Sequence, residues 1–230
     1  MTSFALRALP ATLLALAASA AVADPTPSNT FRLGEYWVFF HATSDGLYGP
    51  YVPPDTTLTV KNVQTPYIAY LRQLSPHFTA ELAFGIPPIT KTYGKGTTSL
   101  GSVPYSGQDI SNARWISPTV LIEYVFLDQN APLRPYVGVG VNYTAFADRD
   151  STPAGDAASG GPTRLELPSS VGPAATVGLN YRVAQHWSVA ASYSASRVIS
   201  HLSAFTAGVV RQADISFGPQ TFVLAAGYLF

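Results

Sequence analysis

Eight stretches of this chain alternate large apolar residues with small or polar ones, at about 31–41, 63–73, 77–87, 116–127, 134–147, 173–184, 187–199 and 219–230. A strand sends successive side chains to opposite faces, so a two-residue period marks a sheet with two different surroundings. Each stretch is near the ~9–11 residues that a tilted strand needs to cross a hydrocarbon layer. The connections alternate as well: 42–62 is long, 74–76 short, 88–115 long, 128–133 short, 148–172 long, 185–186 short and 200–218 long. Both chain ends fall on the short-turn side. This rhythm predicts an all-β fold: an eight-stranded antiparallel transmembrane β-barrel with short periplasmic turns and long extracellular loops. A soluble sandwich has turns of similar length at both ends. Closure also removes the sheet edges, which lipid demands because it cannot satisfy a free N–H or C=O.

The composition agrees. Charged residues make up 11% of the chain, against ~25% in an average soluble domain. Cysteine is absent, so no disulfide frame holds the fold. The first residues, MTSFALRALPATLLALAASAAVADP, combine one cation, Arg7, with a short apolar run and the small-x-small sequence Ala21-Val22-Ala23. That is the pattern of a cleaved secretory signal, so 1–23 is expected to be removed and 24–230 to form the barrel domain. Without Arg7, 12 cations face 13 anions. Nucleic acid has no electrostatic reason to bind such a chain.

Faces follow from the alternation. In RPYVGVGVNYTAFA, Val137, Val139, Val141 and Tyr143 are expected to meet lipid, with Tyr136, Gly138, Gly140, Asn142 and Thr144 filling a narrow lumen. In the last stretch Phe222, Leu224, Tyr228 and Phe230 share the outer face, with Val223, Ala225 and Leu229 inside. Phe78, Tyr124, Phe126, Tyr181, Trp187, Tyr228 and Phe230 gather at the short-turn ends, as an aromatic girdle does. Glu35 conflicts with this pattern: if Trp37 and Phe39 face lipid, so does its carboxylate, unless a bulge or an opposite phase intervenes. Arg32, Arg72, Glu81, Glu123 and Arg182 are expected inside the half nearer the short turns. Buried charges persist only when paired, which suggests a salt-bridged floor. Simple filling and solvation of a narrow barrel would use the same residues. Neither arrangement leaves a wide aqueous pore.

Several of these segments together resemble the OmpW family of eight-stranded outer-membrane proteins, which includes AlkL-type alkane-uptake proteins. They are FRLGEYWVF, AELAFGIPP, SPTVLIEYVF, RPYVGVGVNYTAF and the terminal GYLF. The run from Arg134 to Thr144 is the most specific. KTYGKGTT after the third stretch and Ile116-Ser117-Pro118 before the fourth depart from the family pattern. The resemblance implies passage of small hydrophobic molecules through an apolar lumen, with sideways release into the bilayer. It implies outer-membrane lipid, small hydrophobic solutes and the outer-membrane assembly machinery as partners, and no cofactor. The terminal Phe230 resembles the carboxyl-terminal signal read by that machinery.

Residues point to a route. Val38, Phe40, Thr119, Asn142, Thr144, Phe146 and Val223 are the lumen candidates. Pro66, Pro87, Pro88 and Pro118 lie toward the long-loop ends of three neighbouring strands. Proline cannot donate a ladder hydrogen bond, so the wall is expected to be weakest there, although strand ends also tolerate proline for no functional reason.

Other motifs fail. Asn142-Tyr143-Thr144 fits a glycosylation pattern but lies within a membrane strand, and Gly94-Lys95-Gly96-Thr97 lacks the spacing of a phosphate loop. His41, His77, His186 and His201 have no metal-ligand spacing. The chain is therefore not expected to be an enzyme. A lipid-modifying barrel built on His201 with Ser200 or Ser203 is the rival from another class. A non-transporting adhesion or stability barrel is a third alternative.

Overall fold

The computed structural model describes residues 28–96, 99–100 and 103–230; the predicted leader lies outside the described residues. Along the chain run β1 (Asn29–Phe40), β2 (Thr43–Ser44), β3 (Thr57–Val60), β4 (Val63–Gln73), β5 (Phe78–Gly85), β6 (Ile89–Lys95), β7 (Ser99–Leu100) and β8 (Val103–Pro104). Then come β9 (Asp109–Ile116), β10 (Thr119–Val125), β11 (Leu133–Ser151), helix α1 (Pro153–Ser159) and β12 (Thr163–Glu166). The last are β13 (Ser170–Arg182), β14 (Trp187–Ser196), β15 (Ile199–Thr206), β16 (Val209–Ser216) and β17 (Pro219–Leu229).

Eight of these close a ring. β1 pairs with β4, and the antiparallel order continues through β5, β10, β11, β13, β14 and β17, which returns to β1. Each lies on one of the eight predicted stretches. The seam between the chain's two ends is complete, since the amide of Asn29 donates to the carbonyl of Phe230 at 3.0 Å and that of Phe230 donates back at 2.9 Å. Alternation sets the two faces. Val137, Val139 and Val141 are exposed on the outside and Tyr136 and Asn142 are buried inside. Phe78, Tyr124, Trp187 and Tyr228 stand out at the short-turn end, with Phe78 against Tyr124 at 5.4 Å and Trp187 against Tyr228 at 5.2 Å.

The four long connections are not plain loops, contrary to expectation. β3, β6, β9, β11, β12, β15, β16 and β2 pair in that order and carry the wall outward as a second tier. β11 runs through both, pairing β10 and β13 below and β9 and β12 above. Thr206-Ala207-Gly208-Val209 turns β15 into β16, with Ala207 and Gly208 at φ 47° and 82°. Two positive φ angles in a two-residue loop suit the right-handed twist of a hairpin. α1 covers one side of this tier; its cap residue Thr152 accepts from the Gly155 amide at 3.0 Å, and Pro153 occupies the first turn, where its missing N–H costs nothing.

Strand β1 has neither bulge nor opposite phase. Its register to β17 and β4 is continuous and places Glu35 beside Leu224 and Pro66. Glu35 therefore shares the outer face with Leu33 and Phe39. Arg72 does not point inward as expected. Tyr67, Ala69 and Leu71 take the inner face of β4, packing with Val223 and Ala225, so the intervening Arg72 is turned out. Its guanidinium reaches Ser28 Oγ at 3.1 Å and Asn29 Oδ1 at 2.8 Å on the periplasmic rim.

Candidate functional site: the chamber inside the barrel

The lower end of the lumen is closed by charge. Arg32, Glu81 and Glu123 are 4%, 5% and 1% exposed. Arg32 Nη1 lies 3.4 Å from Glu81 Oε2, and the Tyr67 hydroxyl donates to Glu81 Oε1 at 2.5 Å. The Arg32 guanidinium also sits 5.5 Å from the Tyr136 ring centroid, a distance at which ring quadrupole and cation attract. Gly178 makes this possible, because a Cβ there would come within 2.4 Å of the Tyr136 ring. Glu123 lies close to Glu81 and Arg32, and its Oε1 is buried with no hydrogen-bond partner. Arg182 faces the same interior but joins no ion pair among the described residues; it lies near Arg134, at the mouth below the floor. The expected salt-bridged floor is thus a single ion pair buttressed by two tyrosines and a second carboxyl.

The upper end is closed by aromatic packing. Trp115 has ring contacts to Phe40 at 4.8 Å, Phe146 at 4.8 Å and Phe217 at 4.9 Å. Leu58, Val60, Val198, Leu202 and Ile215 complete a buried cluster around them. Trp115 was not among the expected lumen residues. Its signal was present in DISNARWI, where Ala113 and Trp115 alternate with polar residues, but the long connection was read as a loop.

Between floor and cap lies a chamber of about 110 Å³. Val38, Phe40, Thr119, Asn142 and Val223 border it, as do Tyr36 and Tyr67. Tyr36 reaches past β4 to Gly85 of β5, where a Cβ would sit 2.0 Å from its ring. Thr144 and Phe146 do not border the chamber. β11 climbs past it, so Thr144 is level with the tier junction and Phe146 belongs to the cap. The lining is not uniformly apolar either. Thr176, Ser192, Ser194 and Ser196 from β13 and β14 form a hydroxyl face, with Ser192 directly beside Val223. Part of it is internally satisfied, since Ser194 donates to Thr176 at 2.9 Å.

Three of the four prolines flank a break in the wall. The ladder between β5 and β10 ends at Ala83 and Thr119, and that between β6 and β9 begins at Ile89 and Arg114. The amide of Trp115 reaches the Pro88 carbonyl at 2.9 Å. Between these points, residues 84–87 and 116–118 exchange no backbone hydrogen bond with each other. Pro87, Pro88 and Pro118 flank this gap, and Phe84, Gly85, Pro88 and Ser117 also border the chamber. Asn142 fixes one lip: its Nδ2 donates to Ser117 Oγ at 3.0 Å and Thr119 Oγ1 at 2.8 Å, and its Oδ1 accepts from Thr144 at 2.8 Å. Pro66 leaves no gap. It faces outward, and the Thr65 hydroxyl donates to the Ile86 carbonyl at 2.7 Å, in place of the amide that Pro66 lacks.

The rival hydrolytic arrangement does not assemble. His201 pairs through Nδ1 with Asp214 at 2.7 Å, and its Nε2 meets Gln212 at 3.0 Å. Ser200 donates to the Pro168 carbonyl instead, at 2.7 Å, and Ser203 makes no hydrogen bond to His201. Among the described residues no group of three or more His, Cys, Asp or Glu side chains comes together to hold a metal.

Known proteins share this architecture. The sequence profile of the OmpW family matches residues 53–230. Outer membrane protein W of Vibrio cholerae is 30% identical over 184 residues, which span 78% of this chain and 83% of the relative. OprG from Pseudomonas aeruginosa superposes with a TM-score of 0.80 at 21% identity, over 89% of this chain and 96% of that one. AlkL, solved in DMPC bilayers, gives 0.65 at 18% identity, over 92% and 95%. At these identities the two structures speak to fold, whereas the profile and the sequence relative establish kinship and an outer-membrane location. The chain belongs to the OmpW family.

Proposed function

We propose that this barrel passes small hydrophobic molecules from outside the cell into its chamber and releases them sideways into the bilayer between β5 and β10. One observation carries the reading: the chamber is sealed below by buried charge and above by the aromatic cap, while its wall has a hydrogen-bond break on its own level. A hydrophilic solute would have to cross Arg32, Glu81 and Glu123; an apolar one reaches lipid by displacing Phe84 and the residues around Ser117. Two further cavities of about 50 and 30 Å³ lie within the cap, and the inner one shares Trp115 with the chamber. Trp115 is then the partition a solute must push aside. Phe230, 54% exposed beside Tyr228, is the proposed assembly signal.

Cysteine pairs at Ala83 with Thr119 and at Ile89 with Arg114 would brace the break from both sides, because antiparallel partners lie ~4.5–5.5 Å apart, within disulfide reach. Uptake of hydrophobic probes by cells should fall on oxidation and return on reduction. Undiminished uptake in the oxidised barrel would overturn the sideways route. A gain in uptake for sugars alone, on comparing cells with and without the protein, would overturn the hydrophobic reading itself.

A further inference from the structure

The outer cavity of the cap has a polar end for which plain hydrocarbons have no use. Arg211 and Tyr105 both line this space of about 50 Å³, and they are only 8% and 4% exposed. Arg211 Nε donates to the Pro50 carbonyl at 3.3 Å and Nη1 to the Ser159 carbonyl at 3.0 Å. It joins none of the ion pairs among the described residues. Asp156, an acid of the neighbouring helix, is engaged by the Thr163 amide at 3.0 Å. Carbonyl dipoles alone compensate a buried cation poorly. The Tyr105 hydroxyl is buried with no partner at all. It is held in place by close packing, because a Cβ on Gly94 would lie 2.3 Å from the Tyr105 carbonyl and 2.8 Å from its ring. Burial also raises the Tyr105 pKa, so the group remains a neutral donor.

A buried guanidinium without an acid and a buried hydroxyl without an acceptor face one cavity, and both lack an anion. Ser111, Ser151, Ser159 and Thr163 add hydroxyls to the polar end, and Leu47, Leu58, Ile110, Leu165 and Leu202 form the apolar wall. Since ~10–15 Å³ of such volume holds one water, the space suits a carboxylate-sized head. Leu58, Leu165 and Leu202 also line the inner cavity toward Trp115, which gives an apolar tail its direction.

We propose that this cavity is a capture site for apolar monocarboxylates, with Arg211 as counter-charge, the Tyr105 hydroxyl as second donor and the tail directed toward Trp115. The inference rests on hydrophobic passage and narrows its substrates to molecules with an acid head. Octanoate and octanol, which share a tail length, separate the two ideas. The full barrel in lipid nanodiscs should bind octanoate at least tenfold more tightly than octanol in equilibrium dialysis. Arg211→Gln should abolish that preference. Tyr105→Phe, which leaves both carbonyl anchors of Arg211 untouched, should weaken octanoate binding about threefold or more and leave octanol within twofold. Equal affinity of the unaltered protein for the two, an undiminished preference in Arg211→Gln, or unchanged octanoate binding in Tyr105→Phe would each overturn the site. Cell uptake of octanol, measured in parallel, isolates the other reading: uptake without octanoate preference sinks the capture site alone, and preference without any uptake sinks passage alone.

Discussion

The two tiers of this barrel are built inside out relative to each other, and β11 shows the change within one strand. In its lower part Val137, Val139 and Val141 face out while Asn142 and Thr144 are buried. Four residues above Asn142, Phe146 is buried in the cap, and Asp148 and Asp150 face out. Below, the only charged residues on the outer face of the eight strands are Glu35 and Arg72; above, Lys91–Asp109, Arg114–Asp148, Arg164–Glu166 and His201–Asp214 pair on the surface. A period of two serves both tiers, with a register shift between Ala147 and Asp150 that carries Asp148 and Asp150 to the outer face, and the solvent outside decides which set of side chains turns in. Lipid takes the apolar set below, and water takes the charged set above. The inversion near residue 145 of β11 therefore marks the outer surface of the membrane, and the wall break lies beside it.

The largest expected effect is confined to the upper tier. Trp115→Ala removes a ring that touches three others, and such core truncations cost about 3–5 kcal/mol. Hydrogen exchange should show the amides of β9, β15 and β16 losing protection by that amount, with those of β13, β14 and β17 unchanged. Equal loss in both tiers would show that they unfold as one body. If Trp115 is also the partition, uptake of bulkier hydrophobic probes should rise in the same variant.

The tiers were not equally legible. The lower strands announced themselves because lipid enforces large apolar residues at every second position, as in Val137, Val139 and Val141. The upper strands bury their apolar residues among small ones, as in Ala113 with Trp115 or Ala213 with Ile215, and their outer positions vary freely. Pro87-Pro88, Ser117-Pro118 and Gly218 interrupt the pattern where the tiers join, so each upper strand looked like the beginning of a loop. Alternation supplied the floor's buried members Arg32, Glu81 and Glu123, but the expected inward set failed at Arg72, where Leu71 holds the inner face. The chamber's hydroxyl lining was visible as Ser192 and Ser194 alternating with Ala191 and Tyr193. The break was readable only as a set of prolines, since sequence does not show which missing amide a neighbouring hydroxyl replaces.

A smaller effect tests the membrane boundary. Val139→Arg places a cation on the lipid face and should cost about 2–4 kcal/mol in lipid bilayers if it sits near the midplane. Asp150→Arg, on the same face of the same strand beyond the inversion, should change stability by no more than about 0.5 kcal/mol. Denaturant titrations of the two variants in one lipid measure both. Similar costs would move the boundary outward past Asp150 and remove the basis for placing the break at the membrane surface.

The smallest effect concerns the proline that does not open the wall. Thr65 is 5% exposed, and its hydroxyl is the donor to the Ile86 carbonyl on the side of β4 where Pro66 lacks an amide. Thr65→Val keeps the shape of the side chain and leaves that carbonyl unsatisfied, at a cost of about 1–3 kcal/mol. Adding Pro66→Ala supplies an amide beside the same carbonyl, so the double variant should recover most of the loss, whereas Pro66→Ala alone should gain little because the site is already filled. That non-additivity, read by denaturant titration, distinguishes a repaired proline from the unrepaired ones at Pro87, Pro88 and Pro118. Uptake should respond in the same sense: Thr65→Val creates a second weak seam, between β4 and β5, and hydrophobic solutes should then leave faster. A double variant no more stable than Thr65→Val would mean that the hydroxyl does not stand in for the ladder, and Pro66 would return to the set of prolines that weaken the wall.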